Sequence, residues 1–163
     1  MNSPYGCVCR RGRKLPADRY KRPESVLVVV YTTSGEVLLL RRTRPRDFWQ
    51  SVTGSLHWGE SPLQAARREL FEETGIQVGG QLCDLHHTET FPIVAPWRVR
   101  YAPSAHTNRE HWFALPISGR RMVRLRDAEH REYRWLPACR AMQQASSWTN
   151  RKAIRYLLSG FGG

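Results

Sequence analysis

Apolar positions along the chain change period once, and that change marks the one strongly signalled helix. Val26-Leu27-Val28-Val29-Val30-Tyr31 is an unbroken, β-branched run, the pattern of a strand buried on both faces. Thr32-Thr33-Ser34-Gly35 supplies turn chemistry, and Glu36 to Arg41 predicts a second strand, so the two read as a hairpin. A loop carrying Phe48 and Trp49 then leads to a short strand near 51–53. From Pro62 to Thr74 the pattern becomes helical: Ser61 can cap the start, Pro62 suits the first turn, and Gly75 follows the last. Weaker strands are predicted near 77–88, 97–101, 109–115, 120–125 and 132–136, and two further helices over 137–146 and 148–158. Strands interrupted by one helix and closed by two others predict an α/β fold with a mixed sheet packed between helices.

The first helix carries an apolar sector, Leu63, Ala66 and Leu70, that should pack on the sheet. Glu69, Glu72 and Glu73 fall on a neighbouring sector about 100° away, at offsets of three and four. Like charges so placed repel by a few tenths of a kcal/mol per pair, and a divalent cation reverses that sign. An acidic helix face balanced by Arg67 and Arg68 would present the same three residues, so the glutamates alone leave both readings open.

Composition narrows the class. A chain of 163 residues with 40% hydrophobic content suits one domain with an ordinary core. No apolar run approaches the roughly 20 residues of a membrane span, and none follows the basic Arg10–Lys14 stretch as a secretory signal would require. Cys7, Cys9, Cys83 and Cys139 form no C-x-x-C pair, which points to reduced thiols in a cytoplasmic protein. The net charge is +12, of which residues 1–22 supply +6 from seven basic residues and one acid. That proline-containing segment reads as a basic, poorly ordered extension, with the domain proper over 23–160. The field would attract a small polyphosphate, and nucleic acid only weakly through the extension. Nothing in the pattern gives an oligomeric state.

The wider spacing decides between the two readings of the helix. It runs Gly54-x5-Glu60-x7-Arg68-Glu69-Leu70-x-Glu72-Glu73-x-Gly75-Ile76, nine fixed positions whose chance occurrence is on the order of 10⁻⁸ to 10⁻⁷. This is a complete Nudix box, and the chain resembles Nudix hydrolases. The resemblance implies an α/β/α sandwich and a Mg²⁺-dependent hydrolase of a diphosphate linkage, with Mn²⁺ as a substitute. It implies metal ligation by Glu69, Glu72, Glu73 and the Gly54 carbonyl. Arg68 would orient the carboxylates and Glu60 would support the loop. Glu72 would be the leading base, with Glu69 as its rival.

Outside the box, Tyr20–Pro23, Asp47–Ser55, Arg100–Pro103, Glu110–Phe113 and Ser147–Arg151 resemble one Nudix subgroup, the dihydroneopterin triphosphate pyrophosphatases of bacterial folate synthesis. By that resemblance Glu129 supplies a further metal ligand and rivals Glu72 as base. Lys21, Arg42, Thr53, Phe91, Pro92, Ile93, Val94 and Ser147 fall at substrate-contact positions. Trp49 or Phe91 would stack on a flat ring; Trp49 suits a core position equally, and Ser147 suits a helix cap. His86 and His87, adjacent on a strand, should point opposite ways and bind no metal. Leu56-His57-Trp58 departs from the more acidic loop of relatives. Two alternatives therefore stand beside the pterin substrate: a hydrolase of nucleoside triphosphates (oxidised dGTP) or dinucleoside polyphosphates, and a non-catalytic nucleic-acid-binding module on the same scaffold.

Overall fold

The computed structural model describes residues 19–160. Most of the basic extension, with Cys7 and Cys9, lies outside them. Strands β1 (Glu24–Thr32) and β2 (Glu36–Arg42) form the expected antiparallel hairpin with Tyr31 opposite Val37. Gly35 closes it at φ 85°, a left-handed conformation that glycine enters without a Cβ clash. β3 (Trp49–Gln50) pairs with β2, and β4 (Val52–Ser55) pairs with β1 over Ser25 to Val28. β5 (Cys83–Pro92) lies antiparallel to β6 (Thr107–Ile117), which runs parallel to β1 along its whole length. β7 (His130–Pro137) adds to β2. The result is a mixed sheet ordered β3-β2-β1-β6-β5, with β4 joined to β1 and β7 to β2.

One edge of β1 thus serves two partners, β2 at its C-terminal end and β4 at its N-terminal end. β2 diverges after a single registered pair, and the sheet forks there.

Strand alternation sorts the apolar side chains into two layers. Val26, Val28, Val30, Leu40, Phe113 and Leu115 pack beneath α1 (Pro62–Thr74), against Ala65, Ala66 and Leu70. Leu27, Val29, Leu39 and Trp112 pack beneath α2 (Ala138–Gln144) and α3 (Trp148–Gly160), against Ala141, Ala153 and Ile154. Val26 to Val30 are at most 1% exposed, as an unbroken apolar run sandwiched on both faces should be. No helix among the described residues is long and apolar enough to cross a membrane.

Four expectations are corrected. The strand expected near 77–88 begins only at Cys83 and runs on to Pro92, because Gly79-Gly80 interrupts the segment before it. Residues 97–100 form a 3-10 turn rather than a strand, because Pro96 and Pro103 bracket them and the Arg98 guanidinium binds the carbonyls of Ala102, Pro103 and Ala105. Residues 120–125 form no strand: Arg124 N donates to Thr74 O at 2.9 Å, and Trp135 Nε1 donates to Arg121 O at 3.1 Å, so the segment is stitched down bond by bond. On α1, Leu63 is 39% exposed and Ala65 takes its place in the core. The buried stripe is Ala65, Ala66, Glu69, Leu70, Glu73 and Thr74, so two glutamates lie on the sheet-facing side itself.

Candidate active site

The fork between β1 and β2 is where β4, α1 and the loop before β7 meet. A capping box fixes the start of α1: Gln64 N donates to Ser61 Oγ at 3.3 Å, and Ser61 N donates to Gln64 Oε1 at 2.9 Å. Glu69 then lies so close to Gly54 that a Cβ at 54 would overlap its carboxyl group and push it out of place. Arg68 ties the loop to the helix. Its Nε and Nη2 each donate to Glu60 at 2.8 Å, its Nη1 donates to Glu69 Oε1 at 2.7 Å, and its Nη2 also donates to Ser55 O at 3.0 Å. That fork-on-fork pairing holds the Glu60 carboxyl below the usual carboxylate range. Glu69 goes the other way, because burial outweighs the nearby guanidinium.

Glu73 lies deeper. It is 1% exposed, its Oε2 accepts from Thr53 N at 3.3 Å, and its Oε1 has no hydrogen-bond partner. Burial first, then the charges of Glu69 and Glu129, push its carboxyl well above the usual range. His130 Nε2 stands 3.9 Å from that Oε1, and neither ring nitrogen is partnered. Burial, helped by Arg42, lowers the imidazole to about 4, so it is neutral at pH 7 and the contact with Glu73 is no ion pair. Arg126 Nη1 bridges the remaining acids, 3.1 Å from Glu72 Oε2 and 3.2 Å from Glu129 Oε1.

These groups suit a divalent cation. Glu73, Glu129 and His130 offer donor atoms that all lie within 4.8 Å of one another. Unpartnered buried acceptors are costly unless something cationic or hydrogen-bonding satisfies them. Glu69 and Glu72 border the same spot, held by Arg68 and Arg126 rather than by each other.

A cleft of about 1590 Å³ opens beside the acids. Every candidate metal or substrate residue expected from the sequence lines it except Glu73, which is buried at 1% exposure, and Trp49; Glu60, expected to support the loop, is also outside the lining. Part of its lining is cationic. Lys21 N donates to Arg100 O at 2.9 Å, its Nζ reaches Ser55 Oγ at 3.3 Å, and Arg42 lies over the Trp97 ring at 5.2 Å. Burial first, and Arg100 second for Lys21, lower the proton affinity of both cations, so an arriving phosphate would relieve them. Another part is aromatic and polar. Phe91 and Trp148 meet edge to face with centroids 6.4 Å apart, and Asn108, Glu110, Thr149 and Asn150 lie around them. Ser147 Oγ caps α3, accepting from Asn150 N at 3.2 Å, and also lines the cleft. Thr53 Oγ1 accepts from Gln50 Nε2 at 2.9 Å.

Trp49 is not part of this surface. It is 4% exposed, packs in the second core and lies under the Arg134 guanidinium at 4.7 Å. His86 and His87 diverge as expected: a bulge in β5 leaves His86 exposed, while His87 packs on Trp112 with centroids 4.2 Å apart. Sequence reasoning gave no site role to Trp97, Arg100, Arg126, His130 or Trp148, although Arg100 and Trp148 lie in segments that carry the subgroup resemblance. His130 and Trp148 do follow directly on residues it singled out, Glu129 and Ser147.

The NUDIX domain pattern matches residues 21–157. The chain belongs to the Nudix family. It is 45% identical over 139 residues to the dihydroneopterin triphosphate diphosphatase of Escherichia coli, an alignment covering 83% of this chain and 91% of the relative. The protein of that name from Haemophilus influenzae is 36% identical over 144 residues, covering 86% and 90%. The solved structure of the Escherichia coli dihydroneopterin triphosphate pyrophosphohydrolase superposes with a TM-score of 0.78 at 44% identity, covering 84% of this chain and 95% of that one. With an intact box on a matching Nudix fold, the chain is a Nudix pyrophosphohydrolase, of a family that uses divalent metal ions.

Proposed function

We propose that this hydrolase converts dihydroneopterin triphosphate to dihydroneopterin monophosphate and pyrophosphate, with Mg²⁺ as the working ion. The observation that carries the reading is one cleft lined by carboxylates and cations together with aromatic and polar side chains, the chemistries a pterin triphosphate presents. The names of the relatives support it. Glu69, Glu72, Glu73, Glu129 and the Gly54 carbonyl would hold the metal, which supplies charge neutralisation for the phosphates and acidifies water.

The chain's own residues do the rest. Lys21 and Arg42 bind phosphate oxygens and steady the charge that grows on the leaving pyrophosphate. Arg68 orients the helix acids by fixing Glu60 and Glu69. Glu72, the most exposed of the three helix acids, accepts the proton of the attacking water at a carboxylate oxygen. Phe91 to Val94, Thr53 and Ser147 border the ring and its side chain. Cys83 and Cys139 are free and exposed, in keeping with reduced thiols in the cytoplasm.

A panel of dihydroneopterin triphosphate, dGTP, 8-oxo-dGTP and a dinucleoside polyphosphate, scored by chromatography of the nucleotide or pterin products with Mg²⁺ and with EDTA, tests the assignment. The pterin triphosphate should give the highest kcat/KM, and only with metal. Faster turnover of a nucleotide overturns the substrate.

A further inference from the structure

β6 carries two polar residues in the phase of its buried side. Asn108 and Glu110 alternate with Trp112, which lies in the core beneath α3, and they are 3% and 5% exposed. Both line the cleft. Asn108 Nδ2 donates to Ser25 Oγ at 2.7 Å, and its Oδ1 has no partner. With its NH2 spent on Ser25, Asn108 has its carbonyl oxygen free to accept. Glu110 Oε1 accepts from Trp112 Nε1 at 3.2 Å, which fixes the carboxyl plane. Phe91 stands opposite Asn108 across the β5–β6 ladder, beside Trp148, so an apolar corner adjoins this pair of acceptors.

We infer that Asn108 and Glu110 recognise the adjacent N–H donors of a 2-amino-4-oxopyrimidine edge, shared by pterins and guanine, with the ring set in the Phe91–Trp148 corner. The inference rests on the hydrolase reading above and names what would choose its substrate. A carboxylate accepts two parallel N–H bonds, and this edge offers a ring N–H beside an amino group. Adenine and cytosine place an acceptor nitrogen beside the amino group, and thymine flanks its single N–H with carbonyls. Burial lifts the Glu110 carboxyl to about 7, hydrogen bonds from Trp112 and Thr149 pulling only part of the way back. A ligand bringing two donors supplies the stabilisation that burial withholds.

The test is the KM and kcat of Glu110→Gln and Asn108→Leu on dihydroneopterin triphosphate, dGTP and dATP. Glutamine turns one acceptor into a donor. KM for the pterin and guanine substrates should rise roughly 10- to 100-fold in Glu110→Gln, at least tenfold more than for dATP, with kcat changing less than KM. Asn108→Leu should show the same contrast more weakly, and it decides the matter if Glu110→Gln melts early. Neopterin binding by fluorescence quenching in EDTA should weaken in parallel. Equal KM changes on all three triphosphates, or none, overturn the inference. A wild type that turns over dGTP but not the pterin overturns the substrate reading, and the edge inference is then judged on dGTP against dATP alone.

Discussion

Glu110 also makes a thermodynamic prediction that needs no substrate. Its carboxyl sits at about 7 in the folded protein against an ordinary 4.5, mainly because it is buried. The charge acting on it is Glu89, opposite in the β5–β6 ladder and bound by Lys152 of α3. The folded state holds the Glu110 proton where the unfolded chain has released it. Its contribution to stability is therefore fully present below about pH 4.5 and is lost as pH rises through about 7. A gap of about 2.5 units corresponds to roughly 3 kcal/mol, a large share of a typical folding free energy. Glu110→Gln keeps the shape and does not titrate. Urea unfolding followed by tryptophan fluorescence in EDTA, from about pH 4.5 to about pH 8, gives both stabilities, and their difference cancels the titrations the two proteins share. The variant should gain on the wild type by roughly 3 kcal/mol across that range. Curves that stay parallel within about 0.5 kcal/mol refute the burial argument, and so does a gain in the opposite direction.

The metal site yields further expectations. Glu72→Gln should cut kcat about a hundredfold or more, and near-normal pyrophosphate release would remove Glu72 as the base. Glu73→Gln replaces a buried carboxyl that already favours its neutral form, so it should leave the metal-free melting temperature level or higher while abolishing the rise on adding Mg²⁺; an undiminished rise would contradict ligation by Glu73. Arg68→Lys loses the double bond to Glu60 and the bond to Ser55 O, and should destabilise by about 2 kcal/mol in urea unfolding; a loss below about 0.5 kcal/mol would count against the clamp. Trp49→Ala should cost about 3–5 kcal/mol, as core truncation does, whereas Trp148→Ala, at a site 46% exposed, should act mainly on KM; reversed effects would exchange the two roles.

What the sequence discloses here depends on how local each signal is. The caps at Ser61 and Gly75, the three-and-four spacing of the glutamates and the turn at Gly35 are set by neighbours within a few residues, and each forms as the pattern predicts. The phase of α1 was misread for a physical reason. Glu69 and Glu73 occupy its buried stripe, so the apolar periodicity is broken where the helix meets the sheet, and Leu63 looks like a better anchor than Ala65. Asn108 and Glu110 show no local sign of sharing a cleft with Arg42, because parallel pairing of β6 with β1 brings Glu110 opposite Ser25 from far along the chain. Yet the two omissions have one cause. Among the described residues, Glu69, Glu73 and Glu110 are the carboxyls that burial drives upward, and each sits where the apolar pattern demands a hydrophobe. A fold does not bury three acids for stability, since each costs free energy at neutral pH. On the proposed reading Glu69, on the cleft wall, and Glu73, buried beneath it, serve the phosphate chain and Glu110 serves the ring, so the breaks in the hydrophobic pattern would mark both halves of one substrate.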